Sequence, residues 1–211
     1  KHALGELGLA GRPAIVHASL KKFDTIQGGP GILIHAMRET FGGVVMPTFT
    51  YKTMITPGVG PPNNGMTYGS GRDRNKMAEP FHLAMPPDKM MGLLPLTLLG
   101  EKDVCRTAHP ILSFGGIHAD DILPAQTLFD PLAPIRALAE KDGWIILINV
   151  DHSVNTSIHY GEKLAGRRQF VRWAMMRGRI VECPGYPGDS SGFIAIEELI
   201  LPHTRRVDLD S

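Results

Sequence analysis

Cysteine is scarce in this chain: Cys105 and Cys183 are the only two in 211 residues, and they form no CxxC or repeated spacing. That excludes a disulfide-stapled scaffold, and the two read as reduced thiols of a cytoplasmic protein. Long apolar runs are also missing. The longest, Trp144 to Val150 with Asn149 interrupting it, falls far short of the ~20 residues that span a bilayer. No charged-then-apolar leader opens the sequence, so a membrane or secretory destination is not expected. Neither sign of charge prevails: 22 Lys+Arg against 21 Asp+Glu leave a net +1, and no basic stripe appears. Nucleic acid held by bulk charge is therefore not an expected partner.

What the chain does have is a surplus of 24 Gly and 17 Pro. Together they exceed the combined average of about 12% and point to many turns and long ordered loops. Hydrophobic residues at 43% and charged residues at 20% suit a globular unit with a real core. At about 150 residues per domain, the length predicts a single domain over 1–211. No repeat or low-complexity tract interrupts it.

Strands and helices alternate. Ala14-Ile15-Val16, Val44-Val45-Met46 and Trp144 to Val150 read as buried strands, the last apolar on both faces and hence central. Apolar spacing predicts helices over Gly31 to Phe41, over Asp88 to Leu99 with Pro95 kinking or ending it, from Pro134 to Glu140, and over Ser157 to Gly166. Phe193 to Leu201 is one further apolar segment, after which the last ten residues offer no packing partner. Residues 52–80 carry three prolines besides Pro80, five glycines and little periodicity, which suggests a long loop or lid. The fold class is α/β, with a mixed, mostly parallel central sheet covered by helices on both faces. In such sheets ligands bind outside the carboxyl ends of the strands. Polar residues stand there: His17 and Ser19, Thr48 and Thr50, Asp151 and His152.

Each candidate group admits two readings. His17 is either a strand-end histidine satisfied by backbone groups or a general base at the sheet edge. Lys21-Lys22 with Gly28-Gly29 either cradles a phosphate at a helix start or is a solvated pair beside ordinary turn glycines. It is neither a GxxxxGK[ST] loop nor a GxGxxG fingerprint. Thr156, His159 and Glu162 recur at spacing three on one helix face, where a carboxylate can hold an imidazole tautomer while the free nitrogen takes a proton. The same spacing fits a capped helix with a surface His–Glu contact. The remaining histidines, among them His35, His82, His109 and His118, make no HExxH or comparable ligand spacing, so no metal is expected. A metal-dependent hydrolase is nevertheless the rival enzyme class, and a catalytically silent CoA-binding protein is another alternative. Nothing near Cys105 in sequence would activate it as a nucleophile.

Taken in order, the blocks Val16-His17-Ala18-Ser19-Leu20, Gly28-Gly29, Met46-Pro47-Thr48-Phe49-Thr50, Met91-Gly92, Arg106-Thr107-Ala108-His109-Pro110 with Ser113-Phe114, and Thr156-Ser157-Ile158-His159-Tyr160-Gly161-Glu162 resemble the aminoglycoside 3-N-acetyltransferase (antibiotic N-acetyltransferase) family. The resemblance covers roughly residues 10 to 165. It implies that family's own α/β fold, unrelated to the GNAT acetyltransferases, and direct acetyl transfer from acetyl-CoA to the 3-amino group of an aminoglycoside or to a related small amine. His159 falls on the family's helix-borne histidine, His17 on that of its first strand–loop motif, and Glu162 on the carboxylate after TxxH. Ser19, Leu20, Lys21, Lys22, Gly28 and Gly29 would hold pantetheine and phosphates, with Thr48, Ser113 and Phe114 lining the cleft. A polycationic substrate calls for acidic groups. Glu79 and Asp151, with Thr156, are assigned to it, and Asp120, Asp121 and Asp130 are further acids available. Asp130-Pro131 stands where the family usually has Ser-Pro, and the family is usually longer, with a C-terminal helix. The sequence sets no oligomeric state.

Overall fold

In the computed structural model, residues 2–23 and 26–207 are described. A short helix α1 (His2–Glu6) precedes strand β1 (Pro13–Ala18). Helix α2 (Pro30–Thr40) then leads into β2 (Gly43–Pro47), which lies parallel to β1 with Ile15 beside Val45. Alternation along these two strands divides the core. Ala14, Val16, Val44 and Met46 face α2 through Ile34 and Met37, whereas Ile15 and Val45 face the opposite layer. Burying each of the Val, Ile and Met side chains among them fully contributes roughly 1.5–3 kcal/mol.

Residues 52–80 are more structured than their composition predicts. They contain a two-residue strand β3 (Met54–Ile55) and a short helix α3 (Arg72–Lys76). Two amides fasten the segment. The Asn64 side chain exchanges hydrogen bonds with both backbone groups of Val171 (2.8 and 2.9 Å), and Asn75 does the same with Thr56 (2.8 and 2.8 Å). The predicted helix over Asp88 to Leu99 is divided at Gly92, whose φ of 82° no ordinary helix accepts. A 3-10 turn (Lys89–Met91) stands before it and helix α4 (Leu93–Leu98) after it. Pro95 fits within α4 because it lies in the first turn, where backbone N–H groups have no intrahelical acceptor.

Strands β4 (Cys105–Arg106) and β5 (Phe114–Ile117) add to β2 antiparallel. Helix α5 (Ala133–Glu140) precedes β6 (Trp144–Ile148), which joins β1 in parallel, with His17 beside Leu147. The sheet order is β4-β5-β2-β1-β6, so β6 is an edge strand rather than the centre its apolar sequence suggested. Its exposed Ile145 reflects that position, and Trp144 is shielded by guanidinium groups of Arg12 and Arg205 at 5.3 and 5.1 Å. Arg205 also donates to the Leu7 carbonyl (2.6 Å), so the tail does find a packing partner.

Helix α6 (Ser157–Leu164) follows, and then an element the sequence pattern did not reveal. Strands β7 (Phe170–Met176) and β8 (Arg179–Tyr186) form a hairpin that pairs with β3 in a second, antiparallel sheet. Its two-residue turn, Arg177-Gly178, has φ of 50° and 72°, the left-handed pair that a tight hairpin needs. Phe193 begins a 3-10 turn that runs into helix α7 (Glu197–Ile200). Thus α2 and α4 cover one face of the five-stranded sheet, and α5 with Ile111, Leu112, Ala119, Ile122 and Leu123 covers the other. Among the described residues, no helix is long and apolar enough to cross a membrane.

Candidate active site

The carboxyl ends of β1, β2 and β6 open into one cavity of about 1040 Å³, at the upper end of the roughly 300–1,000 Å³ usual for ligand sites. Val16, His17 and Ser19 line it from β1, Met46, Pro47 and Phe49 from β2, and Val150, Ser153 and Thr156 from beyond β6. Its position is the crevice outside the strand ends where open α/β sheets hold ligands.

His159 enters this cavity from the first turn of α6. Its backbone N–H donates to the Thr156 carbonyl (3.1 Å), which ties it to the residue capping the helix. Its Nδ1 lies 2.9 Å from Oε2 of Glu162, one helical step away, and its ring packs edge-on against the buried Phe193 at 4.6 Å between centroids. Glu162 in turn takes the guanidinium of Arg167 on its other oxygen. Burial first, and the positive charge of Arg167 second, push the His159 pKa down to about 4 against an opposing pull from Asp189. The imidazole is therefore neutral at pH 7. A neutral ring that donates Nδ1–H to a carboxylate leaves Nε2 with a free lone pair. This arrangement can accept a proton.

His17 is buried and lines the same cavity, and among the described residues its Nε2 has no hydrogen-bond partner. Desolvation pushes its pKa down to about 4. Of the two readings of this residue, that of a ring satisfied by backbone groups leaves Nε2 unaccounted for. The backbone N–H of Ser19 is already engaged with the Ile148 carbonyl (2.9 Å).

The other anticipated residues separate into two groups. Ser19, Leu20, Lys21 and Thr156 line the cavity beside His17 and His159, and Glu162 stands behind His159. Of Lys22, the side chain lies outside the described residues. Gly28 and Gly29 are not on the cavity wall; with φ of 81° and 76° they shape the turn into α2. Thr48, Ser113 and Phe114 do not line the cleft either, because they are consumed by the fold. Thr48 Oγ1 donates to the Ser113 carbonyl (3.1 Å), and Ser113 Oγ donates to the Thr48 carbonyl (2.8 Å). Arg106 clamps both, donating to Ser113 Oγ (3.2 Å) and to the Thr48 carbonyl (2.7 Å), while also holding the Leu83 and Met85 carbonyls. Phe114 packs edge-on against Phe49 at 5.5 Å.

Glu79 and Asp151, assigned to the substrate, and the further acids Asp120, Asp121 and Asp130 do not line the cavity. Glu79 pairs with Lys52 (2.9 Å), Asp121 with Lys141, and Asp130 with Lys163 (2.7 Å), while Asp151 accepts from the Ser153 backbone N–H (2.9 Å). Residues 52–80 likewise contribute nothing to the wall. Sequence reasoning instead missed the end of β8 and the stretch beyond it, where Tyr186, Gly188, Asp189 and Ser190 close one side, and missed Lys89 and Met90 on another. Among the described residues, no three of His, Cys, Asp and Glu gather closely enough to hold a metal ion.

Comparison with known proteins matches residues 15–198 to the family described as Aminoglycoside 3-N-acetyltransferase. Aminoglycoside N(3)-acetyltransferase IV from Salmonella sp is 28% identical over 162 residues, which is 72% of this chain and 52% of that protein. This chain thus spans about half the length of that curated relative. The crystal structure of the YokD protein from Bacillus subtilis superposes with a TM-score of 0.78 at 20% identity, covering 97% of this chain and 80% of that one. AAC-IIIb in its binary complex with CoASH superposes with a TM-score of 0.72 at 20% identity, covering 97% and 83%. The apoenzyme of the aminoglycoside acetyltransferase AAC(3)-IVa superposes with a TM-score of 0.72 at 23% identity, covering 96% of this chain and 74% of that one, so the fold is the one these structures share, not that of the GNAT enzymes.

Proposed function

The chain belongs to the aminoglycoside 3-N-acetyltransferase family, and on that premise we propose that it transfers the acetyl group of acetyl-CoA to an amino group of an aminoglycoside, or of a related small amine, with His159 as proton acceptor. The observation that carries this reading is the neutral His159, held at Nδ1 by Glu162 and facing a large cavity at the carboxyl edge of the sheet.

An amine is mostly protonated at neutral pH and cannot attack a thioester until it loses a proton. In this account Nε2 of His159 removes that proton. The amine nitrogen forms its bond to the acetyl carbon and the carbon–sulfur bond breaks; of the two protons the nitrogen sheds on the way from ammonium to amide, one passes to the departing sulfur and the other leaves to solvent. Glu162 holds the tautomer, and His17 supports the same step from the strand end. Acetyl transfer of this kind needs no covalent enzyme intermediate, so no activated nucleophile is required. For the thioester substrate, the residues present fit a pantetheine arm and phosphates. The wall between β1 and α4 is apolar through Val16, Leu94 and Met91, and Lys21 and Lys89 stand on the cavity's lining as cations. AAC-IIIb, solved with CoASH bound, shares this fold, which supports the same assignment.

The test is thiol release from acetyl-CoA with the full chain and a panel of aminoglycosides and simple amines. Release that depends on an amine, with the acetylated amine identified as product, is the expected result. Binding of acetyl-CoA without transfer to any member of the panel would overturn the reading in favour of a catalytically silent CoA-binding protein.

A further inference from the structure

Phe193 is 3% exposed, yet it belongs to neither of the two apolar cores that pack the central sheet. An aromatic ring buried outside those cores needs another partner, and this one lines the cavity and meets His159. The two ring centroids lie 4.6 Å apart with their planes inclined at 63°, the edge-on arrangement that aromatic pairs favour. The backbone fixes Phe193 in that place. Its N–H donates to the Ser190 carbonyl (3.1 Å), and Asp189 closes the turn before it by accepting from the backbone N–H (3.1 Å) and hydroxyl of Ser191. Phe193 therefore reaches the imidazole from the segment after β8, whereas Glu162 reaches it from α6.

These two contacts do different things to the ring. Glu162 holds one atom, Nδ1, and a single hydrogen bond leaves the imidazole able to pivot. A pivot displaces Nε2, and small displacements of a reacting group are costly in rate. A second contact from a separate element removes that freedom, as packing does for any preorganised group. The apolar ring also keeps water off the imidazole, and burial is the foremost reason that His159 resists protonation. The charges around it contribute less and oppose one another, Arg167 disfavouring the imidazolium and Asp189 favouring it. From the other elements facing this space, Tyr186 has its pKa raised and His17 has its pKa lowered to about 4, so both are uncharged at neutral pH. Lys21 and Lys89 are the cations of the lining.

We propose that Phe193 is a positioning residue for acetyl transfer, which acts through His159 by packing on its ring, excluding water from it and holding Nε2 in place for the amine; the proposal rests on the acetyl-transfer reading above. Glu162 sets the tautomer, and Phe193 sets the ring's pose and dryness.

The test reads the His159 pKa by NMR titration, and kcat for thiol release from acetyl-CoA with one aminoglycoside at pH 8, in the wild type, Phe193→Ala and Phe193→Leu. Water reaches the ring in Phe193→Ala, so its pKa should rise by about one unit or more, from about 4 towards 6.5. At pH 8 the ring is neutral in all three proteins, and kcat of Phe193→Ala should still fall roughly tenfold because Nε2 is less well placed. Phe193→Leu keeps an apolar cover and should restore most of the wild-type pKa. A merely structural role would lower the yield of folded protein and leave the titration where it is. A His159 pKa unmoved in Phe193→Ala would overturn the proposal while leaving acetyl transfer intact. Failure of the wild type to release thiol with any amine would instead overturn the acetyl-transfer reading, and this proposal with it. The wild type alone supplies a further check, since nuclear Overhauser contacts are expected between the Phe193 and His159 rings. Their absence would overturn the proposal even if Phe193→Ala folds poorly.

Discussion

Oε2 of Glu162 lies 2.9 Å from Nδ1 of His159, and the opposite oxygen of the same carboxylate takes Arg167. The carboxylate therefore both orients the ring and favours its protonated form, while burial and the arginine work against that charge. Glu162→Gln keeps an oxygen for Nδ1 but removes the negative charge. Its expected cost in turnover is smaller than the roughly 10²–10⁴-fold loss typical of a missing general base. Because the imidazolium loses its counter-charge, the acid limb of kcat/KM should move to lower pH. A pH–rate profile checks this, and an acid limb that moves upward would refute the partnership.

Acid should destabilise the fold through buried histidines. His17 and His109 are each pushed down by burial from about 6.5 to about 4. Between those values the unfolded chain binds protons that the folded one does not. This contribution is therefore fully present above pH 6.5 and is lost as pH falls towards 4. For each ring the shift corresponds to roughly 3 kcal/mol. His109 accepts from the backbone N–H groups of Ile111 and Leu112 through Nδ1 (3.2 and 2.9 Å), a role an amide oxygen can fill. Urea unfolding at pH 7 and pH 5 should show a smaller stability loss for His109→Asn than for the wild type.

The Arg106 clamp should be a matter of stability and not of turnover. It joins Thr48, Ser113, Leu83 and Met85 in one hydrogen-bonded knot. Arg106→Ala leaves several carbonyls without their donor and is expected to cost roughly 3 kcal/mol. Thr48→Val should cost roughly 1 kcal/mol and leave KM for acetyl-CoA unchanged. Denaturant midpoints and steady-state kinetics on the same preparations check both. A raised KM with unaltered stability would return Thr48 to the cofactor site.

Lys21 and Lys89 should act together if they meet the phosphates of CoA. The double substitution Lys21→Gln/Lys89→Gln is expected to raise KM for acetyl-CoA at low salt, with the difference shrinking as ionic strength rises. An unchanged KM at low salt would place the phosphates elsewhere.

Much of the framework was legible because β1, β2 and the face of α2 announce themselves by apolar runs and helical spacing. The misplacement of β6 has a physical cause: an apolar strand can stand at an edge when groups such as Arg12 and Arg205 cover its Trp144. The β7–β8 hairpin escaped because its turn is Arg177-Gly178 instead of an Asn-Gly pair, and because Pro184 and Gly185 punctuate its second strand. That omission also explains why the wall from Tyr186 to Phe193 went unseen, since it hangs from this hairpin. That His17 and His159 would meet at one cavity, with Glu162 beside His159, was legible from strand ends and helical spacing. The pairing of each acidic residue was not, because Asp130 with Lys163 and Glu79 with Lys52 meet only once the chain is folded.

The most direct measurement is the rate of thiol release from acetyl-CoA by the wild type and by His159→Ala, with the same amine at saturation and acetyl-CoA affinity determined in parallel. The account predicts a loss of roughly 10²–10⁴-fold in turnover with affinity for acetyl-CoA retained. Near-normal turnover in His159→Ala would contradict it and move the proton transfer to another group.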